Sequence, residues 1–65
     1  KIIIKGEINE GSICELFDMQ GRKVLERQLT GGELNTVDVP AGLHGIMVVH
    51  VTDGLQVTTA KIVLH

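Results

Sequence analysis

Apolar and polar positions alternate with a period close to two along most of this chain. Glycine-centred turns divide it into about six short segments. Ile2-Ile3-Ile4 opens the first segment, and Asn9-Glu10-Gly11-Ser12 closes it. In the second, Ile13 to Asp18, Cys14 and Leu16 fall on one face and Ile13, Glu15 and Phe17 on the other. Asp18-Met19-Gln20-Gly21 follows. Asp at the start of a type I turn, with Gly at the next left-handed position, is the chemistry of a short bulged hairpin loop. The chain returns through Arg22 to Thr30, with Val24, Leu25 and Leu29 set among charged residues.

Gly31-Gly32 then predicts a two-residue hairpin, since both glycines tolerate positive φ. Leu34 to Val39 places Asn35, Val37 and Val39 on one face, and Pro40-Ala41-Gly42 breaks the pattern because Pro40 cannot donate to a central ladder. Gly45 to Thr52 is the most apolar stretch and the best candidate for a central strand. After the turn signal Asp53-Gly54, the last strand runs from Leu55 to His65. It alternates Val57, Thr59, Lys61 and Val63 against Thr58, Ala60, Ile62 and Leu64. No segment carries a 3.6-residue period. The expectation is an all-β chain, a meander folded into a small immunoglobulin-like β-sandwich of about six or seven antiparallel strands, forming one domain over residues 1–65.

Composition sharpens that picture. The apolar residues are almost wholly Val, Ile and Leu, which suit a pleated surface, and Phe17 is the only aromatic residue. Glycan and single-stranded nucleic-acid binding usually need aromatic platforms, so both are disfavoured. Six Lys and Arg face eight Asp and Glu, a net charge of −2, and no basic stripe is present to neutralise a phosphate backbone. A domain of this size has a core worth roughly 3–5 kcal/mol, and the single cysteine excludes an internal disulfide. The chain opens at Lys1 rather than Met, and it is expected to be a fragment of a longer secreted protein whose targeting segments lie elsewhere.

Candidate chemistry is sparse. His44 and His50 flank the central strand six residues apart, an even spacing that would put both on one face. With His65 the only other histidine, no metal site is expected. Cys14 reads as a small buried hydrophobe. Ser12 and the threonines stand in no nucleophile motif. The carboxylates fall mostly at turns or on polar faces, Asp18 and Asp53 being accounted for by their turns. No glycine leads into a helix to make a phosphate loop. The reading is of a domain that is not an enzyme, with no catalytic residues, metal or cofactor.

Three stretches nevertheless form a pattern. The first is Cys14-Glu15-Leu16-Phe17-Asp18-Met19-Gln20-Gly21-Arg22-Lys23-Val24, an alternating strand followed by Asp, two variable residues, Gly and a basic residue. The second runs from Val37-Asp38-Val39 through Gly45 into Ile46-Met47-Val48-Val49-His50-Val51. The third is Asp53-Gly54 and then Thr59-Ala60-Lys61-Ile62-Val63-Leu64. In this order they resemble the signatures of type A C-terminal sorting domains of the type IX (Por) secretion system. Met47 departs from that pattern, standing where the family usually has an aromatic residue, and Leu43-His44 lengthens the loop before Gly45.

The resemblance implies a role in protein–protein recognition. Such domains end cargo proteins of Bacteroidetes. An outer-membrane translocon reads them, and a surface sortase commonly removes them and attaches the cargo to the cell surface. The implied partners are therefore the translocon, the sortase and an N-terminal cargo domain of the same chain. The implied location is secreted or cell-surface, by way of the periplasm. The residues that match the signatures are Asp18, Gly21, Arg22, Gly45, Lys61, Ile62 and Val63. Lys61 reads either as protection of an edge strand or as a contact for the secretion machinery. An edge at the last strand would also offer weak pairing to a second copy. The alternative reading is an immunoglobulin-like accessory or spacer module of a secreted hydrolase.

Overall fold

A computed structural model describes all residues from Lys1 to His65. It contains six strands and no helix: β1 (Ile2–Ile8), β2 (Ile13–Phe17), β3 (Lys23–Gln28), β4 (Gly32–Val37), β5 (Gly45–Asp53) and β6 (Gln56–Leu64). They form two antiparallel sheets, one of order β3-β2-β5-β6 and a smaller one of β1 and β4. The all-β sandwich expected from the sequence is what forms.

Alternation decides which side of each strand is buried. Cys14 and Leu16 on β2, Leu25 on β3, and Met47, Val49 and Val51 on β5 supply the inner face of the large sheet. Ile2 and Val37 face them from the small sheet, and Leu29 joins them just beyond β3. Cys14 and Leu16 are fully buried. As the apolarity of its segment suggests, β5 is central, paired with β2 on one side and β6 on the other.

The connectivity is not a meander. β1 pairs with β4, not with β2, and the chain changes sheet three times, between β1 and β2, between β3 and β4, and between β4 and β5. Gly31-Gly32 is accordingly a crossover and not a hairpin. The reason is visible at Gly31, where a Cβ would lie 2.9 Å from Glu10 N and 3.2 Å from the Ile8 carbonyl oxygen. The crossover passes against the β1–β2 connection, and only a residue without a side chain fits there. Asn35, the buried polar residue of β4, holds this crossing: its Oδ1 accepts from the Gly31 N–H at 3.2 Å and from the Thr30 hydroxyl at 3.4 Å. On the other side of the crossing, Ser12 donates its hydroxyl to the Asn9 carbonyl at 2.8 Å, and its own carbonyl accepts from the Leu29 N–H at 2.7 Å.

Candidate recognition surface

The Asp18 turn is built from the side chain of its first residue. Asp18 Oδ1 accepts from the Gln20 N–H at 2.9 Å and the Arg22 N–H at 3.0 Å. Oδ2 accepts from Arg22 Nε at 2.8 Å. Backbone bonds from Gly21 N to Asp18 O and from Asp18 N to Arg22 O, both 3.0 Å, complete the loop. The Arg22 N–H, with help from its guanidinium and the Gln20 N–H, holds the Asp18 carboxyl below its ordinary value, against a smaller opposing effect of desolvation. The hairpin chemistry read from the sequence is therefore present.

A bulge follows the turn. Leu16 faces Leu25 while Phe17 faces Lys23, so Val24 is an extra residue on β3. By simple alternation Lys23 would share the inner face with Leu25. The bulge returns it to the outer face, where Glu15 and Glu26 stand directly opposite each other. Lys23 Nζ lies 2.5 Å from Glu26 and 3.4 Å from Glu15, separating two carboxylates that would otherwise repel. These contacts, that to Glu26 foremost, raise the Lys23 pKa. Sequence reasoning missed this cluster because the bulge decides the facing of Lys23.

Gly45 opens β5 opposite Leu64, with φ near +99° and no atom within 4 Å of where a Cβ would sit. Its requirement is backbone conformation, not space, and the same holds for Gly21 at φ +86°. On β6, Lys61 faces Val48, Ile62 faces Met47 and Val63 faces Ile46. Lys61 is the only charged residue of β6, and it makes no ion pair. Val63 and its neighbour Ile46 are exposed on the outer face.

These separate stretches meet. β2 ends at Phe17, which pairs with Val48, which pairs in turn with Lys61. The Asp18–Arg22 turn, the Gly45 start of β5 and the Lys61–Leu64 end of β6 therefore occupy one end of the four-stranded sheet. β6 is also an edge strand, bonded only to β5. Beside it a cleft of about 180 Å³ opens between the sheets, lined by Ile2, Ile4, Val51, Thr58, Ala60 and Ile62 among others. The small sheet leaves Thr58 and Ala60 exposed although they lie on the inner side of β6.

The histidines do not converge. His44 sits in the loop before β5 with Nδ1 3.0 Å from the Gly42 carbonyl, while His50 packs its ring 4.9 Å from that of Phe17. The spacing that would have put both on one strand face fails because β5 begins only at Gly45. Cys14 is buried as expected, and burial, with the nearby Glu15 charge, pushes its thiol pKa up.

No curated protein and no solved structure matches the chain. The family model described as the secretion system C-terminal sorting domain matches it over residues 1–65, its full length. This chain belongs to the family of C-terminal sorting domains of the type IX secretion system.

Proposed function

We propose that this domain directs an N-terminal cargo across the outer membrane by presenting one end of its four-stranded sheet to the type IX translocon. The family carries the general role of a secretion signal, which implies contact with the secretion machinery and export across the outer membrane. The observation that supports this surface is the meeting of Asp18, Gly21 and Arg22 with Gly45 and with Lys61, Ile62 and Val63 at the open edge of β6. A strand with an unpaired edge can be read by augmentation: main-chain hydrogen bonds supply affinity and alternate side chains supply specificity. Lys61 then gives the reader a single positive charge between the exposed valines 57 and 63. The domain itself performs no chemistry. Removal by a sortase and attachment of the cargo to the cell surface follow export, and a second copy competes for the same edge.

The test is a fusion of the domain behind a periplasm-directed fluorescent reporter, in a bacterium with a working type IX system. Translocon-dependent release, reduced by Lys61→Ala and by removal of Val63-Leu64-His65 in variants that remain folded, is the expected result. Reporter retained in the periplasm behind a folded domain, or release unaffected by those changes, would leave an accessory or spacer module as the better description.

A further inference from the structure

β6 is close to symmetric about its own middle. Val57 and Val63 stand three residues to either side of Ala60, both on the outer face, 55% and 56% exposed. Thr59 and Lys61 flank Ala60 on that face, and Thr58 and Ile62 occupy matching positions on the inner one. A free edge strand with this spacing can pair with itself.

We propose that two copies of this chain associate through antiparallel pairing of β6 with β6, about a two-fold axis through Ala60. The proposal shares only the open edge of β6 with the sorting role and stands or falls separately from it. In this register Ala60 faces the second copy's Ala60, and Val57 faces the second copy's Val63 on both sides of the axis. Lys61 faces the second copy's Thr59. The two exposed valines are thereby covered, with Ile46, itself 47% exposed, behind Val63.

Neighbouring registers are worse. An axis through Lys61 sets ammonium against ammonium, which directly opposed strand positions do not favour, and leaves Val57 against His65. An axis through Thr59 sets Val57 against Lys61 and Val63 against the turn residue Leu55. Half-step axes would oppose outer-face and inner-face residues, which a continuous sheet does not allow. Opposed lysines exclude the Lys61 register and mismatched valines the Thr59 one, which leaves the Ala60 register, in which the two lysines are diagonal neighbours pointing to solvent.

The area involved sets the strength. Two nine-residue edges bury less than the roughly 1,200–2,000 Å² of a standard stable interface, so the pairing is weak and concentration-dependent. It joins the large sheets into one of eight strands. While paired, the edge is closed to any other strand, so self-association and reading by a partner exclude each other.

Sedimentation equilibrium of the 65-residue chain should show a monomer–dimer equilibrium that tightens as added salt screens the two lysines. Val57→Lys, outside the Lys61–Val63 stretch, should weaken it roughly ten-fold, since two valine pairs are lost per dimer. Thr59→Glu should tighten it several-fold at low salt by facing Lys61 with a carboxylate. Cys14 is fully buried, so Ala60→Cys provides one reactive thiol, which a short bismaleimide should link into dimers. Val57→Cys should link to Val63→Cys in a mixture but not to itself, because its two copies lie about 20 Å apart in this register. A chain that stays monomeric at millimolar concentration, or Val57→Cys self-linking as readily as Ala60→Cys, would overturn the proposal.

Discussion

Asn9 and Asp53, 44 residues apart in the chain, are joined by a 2.8 Å hydrogen bond from the Asn9 side-chain amide to Asp53 Oδ1. The first residue belongs to the turn that carries the chain from the small sheet to the large one, and the second ends β5. The bond fastens the β1–β2 connection to the hairpin of the last two strands. Asn9→Ala should lower stability by about 1 kcal/mol, because the pair is exposed and water replaces part of what is lost. The midpoint of urea unfolding would register it. No change at all would mean that the bond contributes only geometry.

The two glycines of the β3–β4 crossover should respond differently to alanine. Both have positive φ, near +91° for Gly31 and +93° for Gly32, so each substitution strains the backbone by about 1–2 kcal/mol. Only Gly31 faces backbone atoms closer than a Cβ tolerates, while Gly32 has none within 4 Å. Gly31→Ala is therefore expected to destabilise clearly more than Gly32→Ala by chemical denaturation. Equal losses would show that conformation alone, and not the crossing, selects glycine here.

Leu16 sits at the centre of the core, fully buried and opposite both Leu25 and Val49. Leu16→Ala should cost about 2–5 kcal/mol. That is comparable with the whole stability expected of so small a domain, so the variant should be largely unfolded at 25 °C. Cys14 offers the readout, since its buried thiol, with a raised pKa, should react slowly with a thiol reagent in the wild type and rapidly in the variant.

Asp18 gives the turn a pH dependence of known sign. Its folded pKa lies below the ordinary 3.8, so its contribution to stability is present above that value and is lost as pH falls through the folded pKa. Unfolding midpoints measured between pH 5 and pH 2 should fall more steeply in the wild type than in Asp18→Asn, which has no carboxylate to protonate. Parallel curves would show that the bonds to Arg22 and Gln20 do not depend on the charge.

Local chemistry was the part legible in the sequence. The Asp18 turn closes within five residues through bonds that Asp, Gly and Arg specify among themselves. The alternation of β2 and β6 follows from their side chains alone, and β5 was marked as central by apolarity on both faces. Pairing across distance was not legible. Gly31-Gly32 serves a hairpin and a crossing equally well, and nothing near Ile2 announces that Val37 is its partner. The bulge at Val24 was equally hidden, although it decides which way Lys23 points. For the same reason the meeting of the Asp18 turn, Gly45 and Lys61 at one sheet end could not be foreseen, as it depends on the β2–β5 and β5–β6 registers.

The pairing of β1 with β4 also orders the steps by which the chain folds. The β2–β3 and β5–β6 hairpins close over short loops and can form early, whereas β1 has no neighbour until β4 has crossed back over the β1–β2 connection. Loop-closure entropy is spent on that contact before packing rewards it, which slows proteins dominated by non-local pairing. β2 and β5 meet across a stretch of chain at least as long, so both sheets are expected to close only after the two hairpins. Until β1 and β4 pair, the inner faces of those hairpins lack the cover that Ile2 and Val37 supply.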